Sequence, residues 1–193
     1  MKVYQTAVAG AHVLRSVKAG DVGEDPYVVY EYLECACRAG LDLPVIRGLA
    51  EKCREWQYAI NSAALYAAMG GHTDVLDLLA GEFGARIEVE CLSGAAGWGH
   101  DAVIDHLVEE NGVDPNGSSG DDWWTALHEA AWDGRVRTVK HLVEKHNVDI
   151  HKRTQETDDN NDGLTALDLA ESDGRTACAA YLRALQSTRP PPS

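Results

Sequence analysis

The sequence predicts an all-α fold in which short antiparallel helix pairs stack on one another. The main observation is a recurring signature of two small residues, two variable residues and a glycine, as in Ala95-Ala96-Gly97-Trp98-Gly99. Its glycines follow one another at steps of 31, 28, 35 and 40 residues: Gly40, Gly71, Gly99, Gly134 and Gly174. Such a period is typical of repeat proteins, in which each unit buries its apolar face only against its neighbours.

The first part of the chain carries the weakest copies of the signature. Residues 1–25 match no repeat, and we expect a capping helix near Val3–Lys18 followed by a turn at Ala19–Pro26. A degraded repeat is predicted over residues 26–57. Better copies are predicted over residues 58–89 and 90–120.

The clearest repeat is predicted over residues 121–161. Thr125 is a good helix cap, and Gly134 is the expected end of the helix because glycine takes the left-handed conformation without steric cost. Apolar residues at helical spacing predict a second helix over Arg135–Lys145. The connection between the two helices is very short, so they must be antiparallel.

The last repeat is predicted over residues 162–186 and closes with a helix at Thr176–Gln186. Residues 187–193 contain three consecutive prolines, which cannot continue that helix, so we expect a loose tail. Residues 1–186 are therefore predicted to form a single repeat domain.

The residues TALHEAAWDG (125–134), followed by VKHLVEKHNVDIH (139–151), resemble an ankyrin repeat. The family pattern is T-P-L-H-x-A-A-x-x-G-H, then V-V-x-x-L-L and G-A-D-V-N. The resemblance implies an ankyrin-repeat solenoid, a role in protein–protein interaction and no enzymatic activity. It also implies that His128 bonds to neighbouring backbone and stiffens the stack.

Departures from the family pattern predict local differences. Alanine replaces the family's proline at Ala126 and Ala166, and the family's histidine is kept only at His128. The β-turn finger before Glu90 is expected to be truncated. The finger around Thr154–Gly163 is expected to be enlarged.

Charge disfavours several classes of partner. The net charge is −14, and residues 58–152 hold 16 acidic and 6 basic side chains. Affinity for phosphate backbones and anionic lipid comes from Lys and Arg, so we expect no nucleic-acid and no membrane partner. A basic protein surface is the more natural partner.

The five cysteines contain no Cys-x-x-Cys pair and are interpreted as reduced, mostly buried small residues. Residues 1–21 lack the uninterrupted apolar segment of a secretory signal, and no stretch has the length needed to cross a membrane. We therefore expect a cytoplasmic or nuclear protein.

An acidic turn at Asp158–Gly163 matches only half of a calcium-binding loop. The twelfth position is Leu169, where a bidentate glutamate is required. An extended hydrophilic finger is the preferred interpretation, and an ion-regulated module is the alternative.

The histidines and nucleophiles match no site motif. His141, His146 and His151 are five residues apart, a spacing that rotates each ring away from the last on a helix. Signatures such as H-E-x-x-H, G-x-S-x-G and the phosphate-binding loop are missing from the sequence. We expect no metal site, no cofactor and no catalytic residues.

The resemblance places the residues between the small pair and the glycine, and the finger residues before the Thr, on a concave groove. The expected groove is acidic and rich in tryptophan, which is a common anchor of protein interfaces. The alternative is that Trp123, Trp124 and Trp132 pack against the next repeat. The predicted partner-binding residues are Trp98, Asp121, Asp122, Trp124, Trp132, Asp133, Met69 and Arg38.

The functional hypothesis is a non-enzymatic module that binds a partner segment with Arg or Lys among apolar residues. A structural adaptor or self-associating scaffold in a larger assembly is the alternative. We expect a monomer.

Overall fold

The computed structural model describes residues 25–120, 123–155 and 163–188. Within them lie ten helices and one two-stranded antiparallel hairpin, so the predicted all-α class is confirmed. The capping helix predicted near Val3–Lys18 and residues 189–193 of the tail lie outside the described residues. The chain divides into two compact units, residues 1–87 and 88–193.

The described part of unit 1, residues 25–87, contains two helix pairs. The helices are α1 (Pro26–Ala39), α2 (Leu43–Lys52), α3 (Gln57–Gly70) and α4 (Thr73–Phe83). Helix α1 packs against α2 and α3, and α4 packs against α3 and α2. The core of this unit is built from aliphatic side chains, including Leu33, Ile46, Ile60, Leu76 and Leu79.

The described residues of unit 2 form three helix pairs and the hairpin. Its elements are α5 (Val89–Trp98), α6 (Asp101–Glu109), β1 (Ser118–Ser119), β2 (Trp124–Thr125), α7 (Ala126–Trp132), α8 (Val136–Lys145), α9 (Ala166–Ser172) and α10 (Thr176–Gln186). Helix α7 packs between α5 and α9, and each of these three also packs against the helix that follows it.

Small residues line the contacts between the first helices of neighbouring repeats. Ala95 and Ala96 of α5 and Ala130 and Ala131 of α7 have no exposed surface. Because an alanine side chain extends little beyond the backbone, α5 and α7 can approach closely. The paired alanines of the signature thus allow the first helices of neighbouring repeats to pack closely.

The fingers are short. In the hairpin, Ser118 pairs with Thr125 and Ser119 pairs with Trp124. Residues 84–88, between α4 and α5, contain no strand, in agreement with the truncated finger expected there. The base of the finger predicted to be enlarged is closed by a bridge between Arg153 and Thr165, and residues 156–162 lie outside the described residues.

His128 connects two repeats. Its Nδ1 accepts hydrogen bonds from the Thr125 amide (3.1 Å) and hydroxyl (2.8 Å) at the start of α7. Its Nε2 donates to the carbonyls of Lys152 and Leu164, both at 3.1 Å, in the next finger. These partners define the neutral Nε2–H tautomer. The backbone bonding implied by the family resemblance is therefore present.

The end of α7 depends on glycine. Gly134 has a φ of +71°, a left-handed conformation that a residue with a Cβ adopts only at a cost. A Cβ on Gly134 would also lie 2.9 Å from Cδ of Arg175. Arg175 Nε donates a 2.7 Å hydrogen bond to the Trp132 carbonyl, which fixes the last residue of α7.

No described helix combines the length and apolar character needed to cross a membrane.

Candidate partner-binding surface

Two of the predicted tryptophans form a contact on unit 2. Trp124 lies in β2, one residue before the cap of α7, and Trp132 is the last residue of that helix. Their ring centroids are 5.7 Å apart with an interplanar angle of 70°, an edge-to-face arrangement. Trp132 is 39% exposed and Trp124 is half-buried. This tryptophan pair offers an accessible aromatic surface with fixed orientation.

Asp133, the residue that follows α7, lies against the preceding repeat. Its Oδ2 lies 3.0 Å from the position that a Cβ on Gly97 would occupy. Gly97 is buried, whereas the next residue, Trp98, is 44% exposed at the end of α5. The missing side chain at Gly97 therefore leaves room for a carboxylate beside an exposed indole.

A second carboxylate, which is not among the residues predicted from the sequence, lies near Gly97 together with that of Asp133. Glu129 lies one turn earlier on α7, and its Oε2 is 3.8 Å from the same Cβ position on Gly97. Burial raises the pKa of Glu129, and the nearby Asp133 raises it further. We call Glu129 and Asp133 the acidic pair. The signal in the sequence is a glutamate among the alanines of a close-packed helix.

The acidic pair is only partly balanced by nearby cations. Arg135 Nε donates a 2.8 Å hydrogen bond to the Gly97 carbonyl, so one guanidinium is held near the same glycine. With both carboxylates ionised, the three side chains leave a net negative charge at this place.

The hairpin adds a further exposed indole. Trp123 is 56% exposed and has a φ of +56°, which is uncommon for a residue with a side chain. Trp123 is not among the partner-binding residues predicted from the sequence, where packing against the next repeat is its alternative role. Its exposure on unit 2 is inconsistent with burial against the next repeat.

The other four predicted residues lie outside the described part of unit 2. Met69 and Arg38 lie in unit 1, at the ends of α3 and α1, and both are half-buried. The Arg38 carbonyl lies against Gly70, only 2.3 Å from the position of an added Cβ. Asp121 and Asp122 lie outside the described residues.

The sequence predicts that His141, His146 and His151 point away from one another, and this expectation is wrong for His141 and His146. His141 Nε2 and His146 Nε2 both contact Oδ1 of Asp105 in α6, at 2.7 and 2.8 Å. His146 is the C-cap residue of α8, and its ring reaches the same carboxylate oxygen of the neighbouring helix as the ring of His141 does. Burial would raise the pKa of Asp105, but hydrogen bonds from Lys145, His141 and His146 lower it to about 2.

The cysteines have the environment of packing residues. Cys37, Cys53, Cys91 and Cys178 are buried, and Cys35 is half-buried. Burial raises the pKa of the Cys91 thiol to about 11 and raises that of Cys37 as well. These thiols are protonated near neutral pH and are weak nucleophiles.

Comparison with known proteins agrees with this architecture. A family model described as ankyrin repeats (3 copies) matches residues 92–188, which is half of the chain. A comparison with curated proteins gives no significant match. Ankyrin repeats generally act in protein–protein interaction and are generally not enzymes. The chain belongs to the ankyrin-repeat family.

Proposed function

We propose that this protein binds a partner segment in which Arg or Lys stands beside apolar residues, and that unit 2 provides the binding surface. The observation that carries the proposal is that the acidic pair lies against Gly97. Two exposed indoles are adjacent in sequence, Trp98 to Gly97 and Trp132 to Asp133. Carboxylates recognise the cation of the partner, while indoles offer apolar area and cation–π contacts.

Partial burial strengthens the electrostatic part of this recognition. Glu129 is half-buried, and its pKa is raised by burial, so its carboxylate is poorly hydrated. An incoming guanidinium therefore displaces little water from Glu129 and gains attraction in a medium less polar than bulk water. Arginine suits this place better than lysine, because its planar fork can bond to two carboxylates.

Selection from a random-sequence peptide library displayed on phage tests the proposal. Peptides enriched on the folded chain should contain Arg or Lys next to aromatic or aliphatic residues. Their affinity, measured by fluorescence anisotropy, should fall when salt is raised, because exposed charges are screened. Enrichment of acidic peptides would contradict the proposal.

Variants locate the site. The double variant E129Q/D133N should weaken binding of the selected peptides about tenfold or more, since it removes both charges. W132A should weaken it by a similar factor. W56A is the matched control, because Trp56 is also 39% exposed but lies in unit 1. Binding that is lost in W56A and kept in the other variants would refute the site.

We further propose that the chain is monomeric and located in the cytoplasm or nucleus. Light scattering at several concentrations separates the monomer from the alternative, a self-associating scaffold. A molar mass that rises with concentration would favour the scaffold. A calcium titration by calorimetry tests the other alternative, an ion-regulated module at Asp158–Gly163.

A further inference from the structure

Three potential metal ligands from two neighbouring repeats meet in unit 2. Asp105 lies on α6, His141 on α8, and His146 one residue beyond the end of α8. One ligand atom from each of them lies within 4.8 Å of the other two. In the described part of the chain, no other three His, Cys, Asp or Glu residues meet this condition. We call these residues the histidine cluster.

The local fold explains how the cluster forms. His146 follows the last turn of α8, and its amide donates a 3.2 Å hydrogen bond to the Leu142 carbonyl. Its ring therefore lies edge-on to that of His141, with the centroids 5.4 Å apart and the planes at 71°. Both Nε2 atoms point at Oδ1 of Asp105, so the three potential ligand atoms lie close together.

We propose that Asp105, His141 and His146 together bind one divalent transition-metal ion, of which Zn²⁺ is the representative. Two imidazole nitrogens and one carboxylate oxygen are a ligand set that zinc uses when a water molecule takes the fourth position. His141 and Asp105 are partly exposed, which gives water access to the ion.

The distances between the three ligand atoms allow a metal ion to replace the two hydrogen bonds after a small movement. The two N–O separations of 2.7 and 2.8 Å are hydrogen-bond distances, with each Nε2 donating its proton to Asp105. Ligand atoms about 2 Å from a tetrahedral ion are separated by about 3.3 Å. Binding therefore requires each Nε2 to move about 0.5 Å farther from Oδ1 of Asp105. On metal binding the proton of each neutral ring moves from Nε2 to Nδ1, so that Nε2 can bind the ion and no imidazole proton is lost overall.

The surrounding charge favours a cation, and one side chain competes with it. Lys145 Nζ contacts Asp105 Oδ2 and Glu109 Oε1, both at 2.8 Å. Two carboxylates and one ammonium leave a net charge of −1 with neutral imidazoles. The ammonium occupies Oδ2 and leaves Oδ1 for the metal, but it repels a dication. Removing the Lys145 charge should therefore strengthen metal binding.

Calorimetric titration of the full, chelator-treated chain with ZnCl₂ at neutral pH tests the proposal. We expect one ion per chain with a dissociation constant in the micromolar range. Asp105→Asn and His141→Asn should each weaken binding about tenfold or more. His151→Asn is the matched control, because His151 continues the spacing of five residues but lies outside the cluster, and it should bind as the wild type does. Circular dichroism without metal shows whether each variant is folded.

A variant that keeps all three ligands guards against misfolding of the others. Lys145→Gln should tighten zinc binding about tenfold, because a positive charge close to the ion is removed. Saturating zinc should also raise the melting temperature of the wild type by about 5–10 °C, since the ion joins α6 to α8.

Cobalt distinguishes this site from the cysteines. Co²⁺ bound by imidazole and carboxylate absorbs in the visible region without the near-ultraviolet charge-transfer band of a thiolate ligand. Three results would overturn the proposal: no zinc binding by the folded wild type, affinity unchanged by Asp105→Asn and His141→Asn, or a thiolate band in the cobalt spectrum.

Discussion

His128 should make the stability of unit 2 depend on pH between 6.5 and 4. Burial lowers the pKa of this imidazole from 6.5 to about 4, although its hydrogen bonds to the Leu164 and Lys152 carbonyls act in the opposite direction. Because the folded-state pKa lies below the unfolded-state value, the unfolded chain binds more protons in this range. The stabilisation is fully present above pH 6.5 and is lost as the pH falls to about 4.

The size of the effect follows from the two pKa values. One pKa unit corresponds to about 1.4 kcal/mol, so a decrease from 6.5 to about 4 amounts to about 3 kcal/mol of unfolding free energy. The structure gives the physical reason, since protonating Nδ1 would also destroy the acceptor of the Thr125 amide and hydroxyl at the start of α7.

Urea unfolding followed by far-ultraviolet circular dichroism, repeated from pH 7.5 to 4, measures this dependence. His128→Asn is the comparison, because an asparagine oxygen can still accept from the Thr125 amide but does not titrate in this range. The variant should be less stable at pH 7 and should lose less stability on acidification than the wild type. If the two curves stay parallel across this range, the assignment of the effect to His128 is refuted.

Further substitutions test the packing and the turns. Gly134→Ala should destabilise the chain by about 1–2 kcal/mol, because φ is +71° there and the added Cβ would meet Arg175. The matched control is Gly48→Ala, at an exposed position of α2 with nothing within 4 Å of the added Cβ, and it should stabilise the chain by about 0.5–1 kcal/mol. Leu142→Ala should cost about 2–5 kcal/mol, since this side chain is completely buried between repeats. Urea unfolding measures all three, and equal effects of the two glycine substitutions would contradict the turn argument.

Much of the helical architecture could be predicted because it depends on local signals. Thr125 and Gly134 mark the two ends of α7, and the predicted closing helix of the last repeat, α10, has the same bounds, Thr176–Gln186, in the structure. Such signals act within a few residues, so one sequence is enough to reveal them.

Other features could not be predicted because they depend on which residues the packing brings together. Glu129 belongs to the candidate surface only because Gly97 of the preceding helix has no side chain. His141 and His146 converge because Asp105 of another helix contacts both of their rings. The spacing of residues along one helix predicts neither the contact at Gly97 nor the contacts with Asp105.

The central claim is that the acidic pair binds a cationic side chain of a partner. A double-mutant cycle tests it most directly, combining Glu129→Gln in the protein with Arg→Ala in a peptide selected from the library. We expect a coupling energy of about 1–3 kcal/mol, calculated from the dissociation constants measured at low salt. Additive effects, with a coupling energy near zero for every arginine or lysine of the peptide, would contradict it.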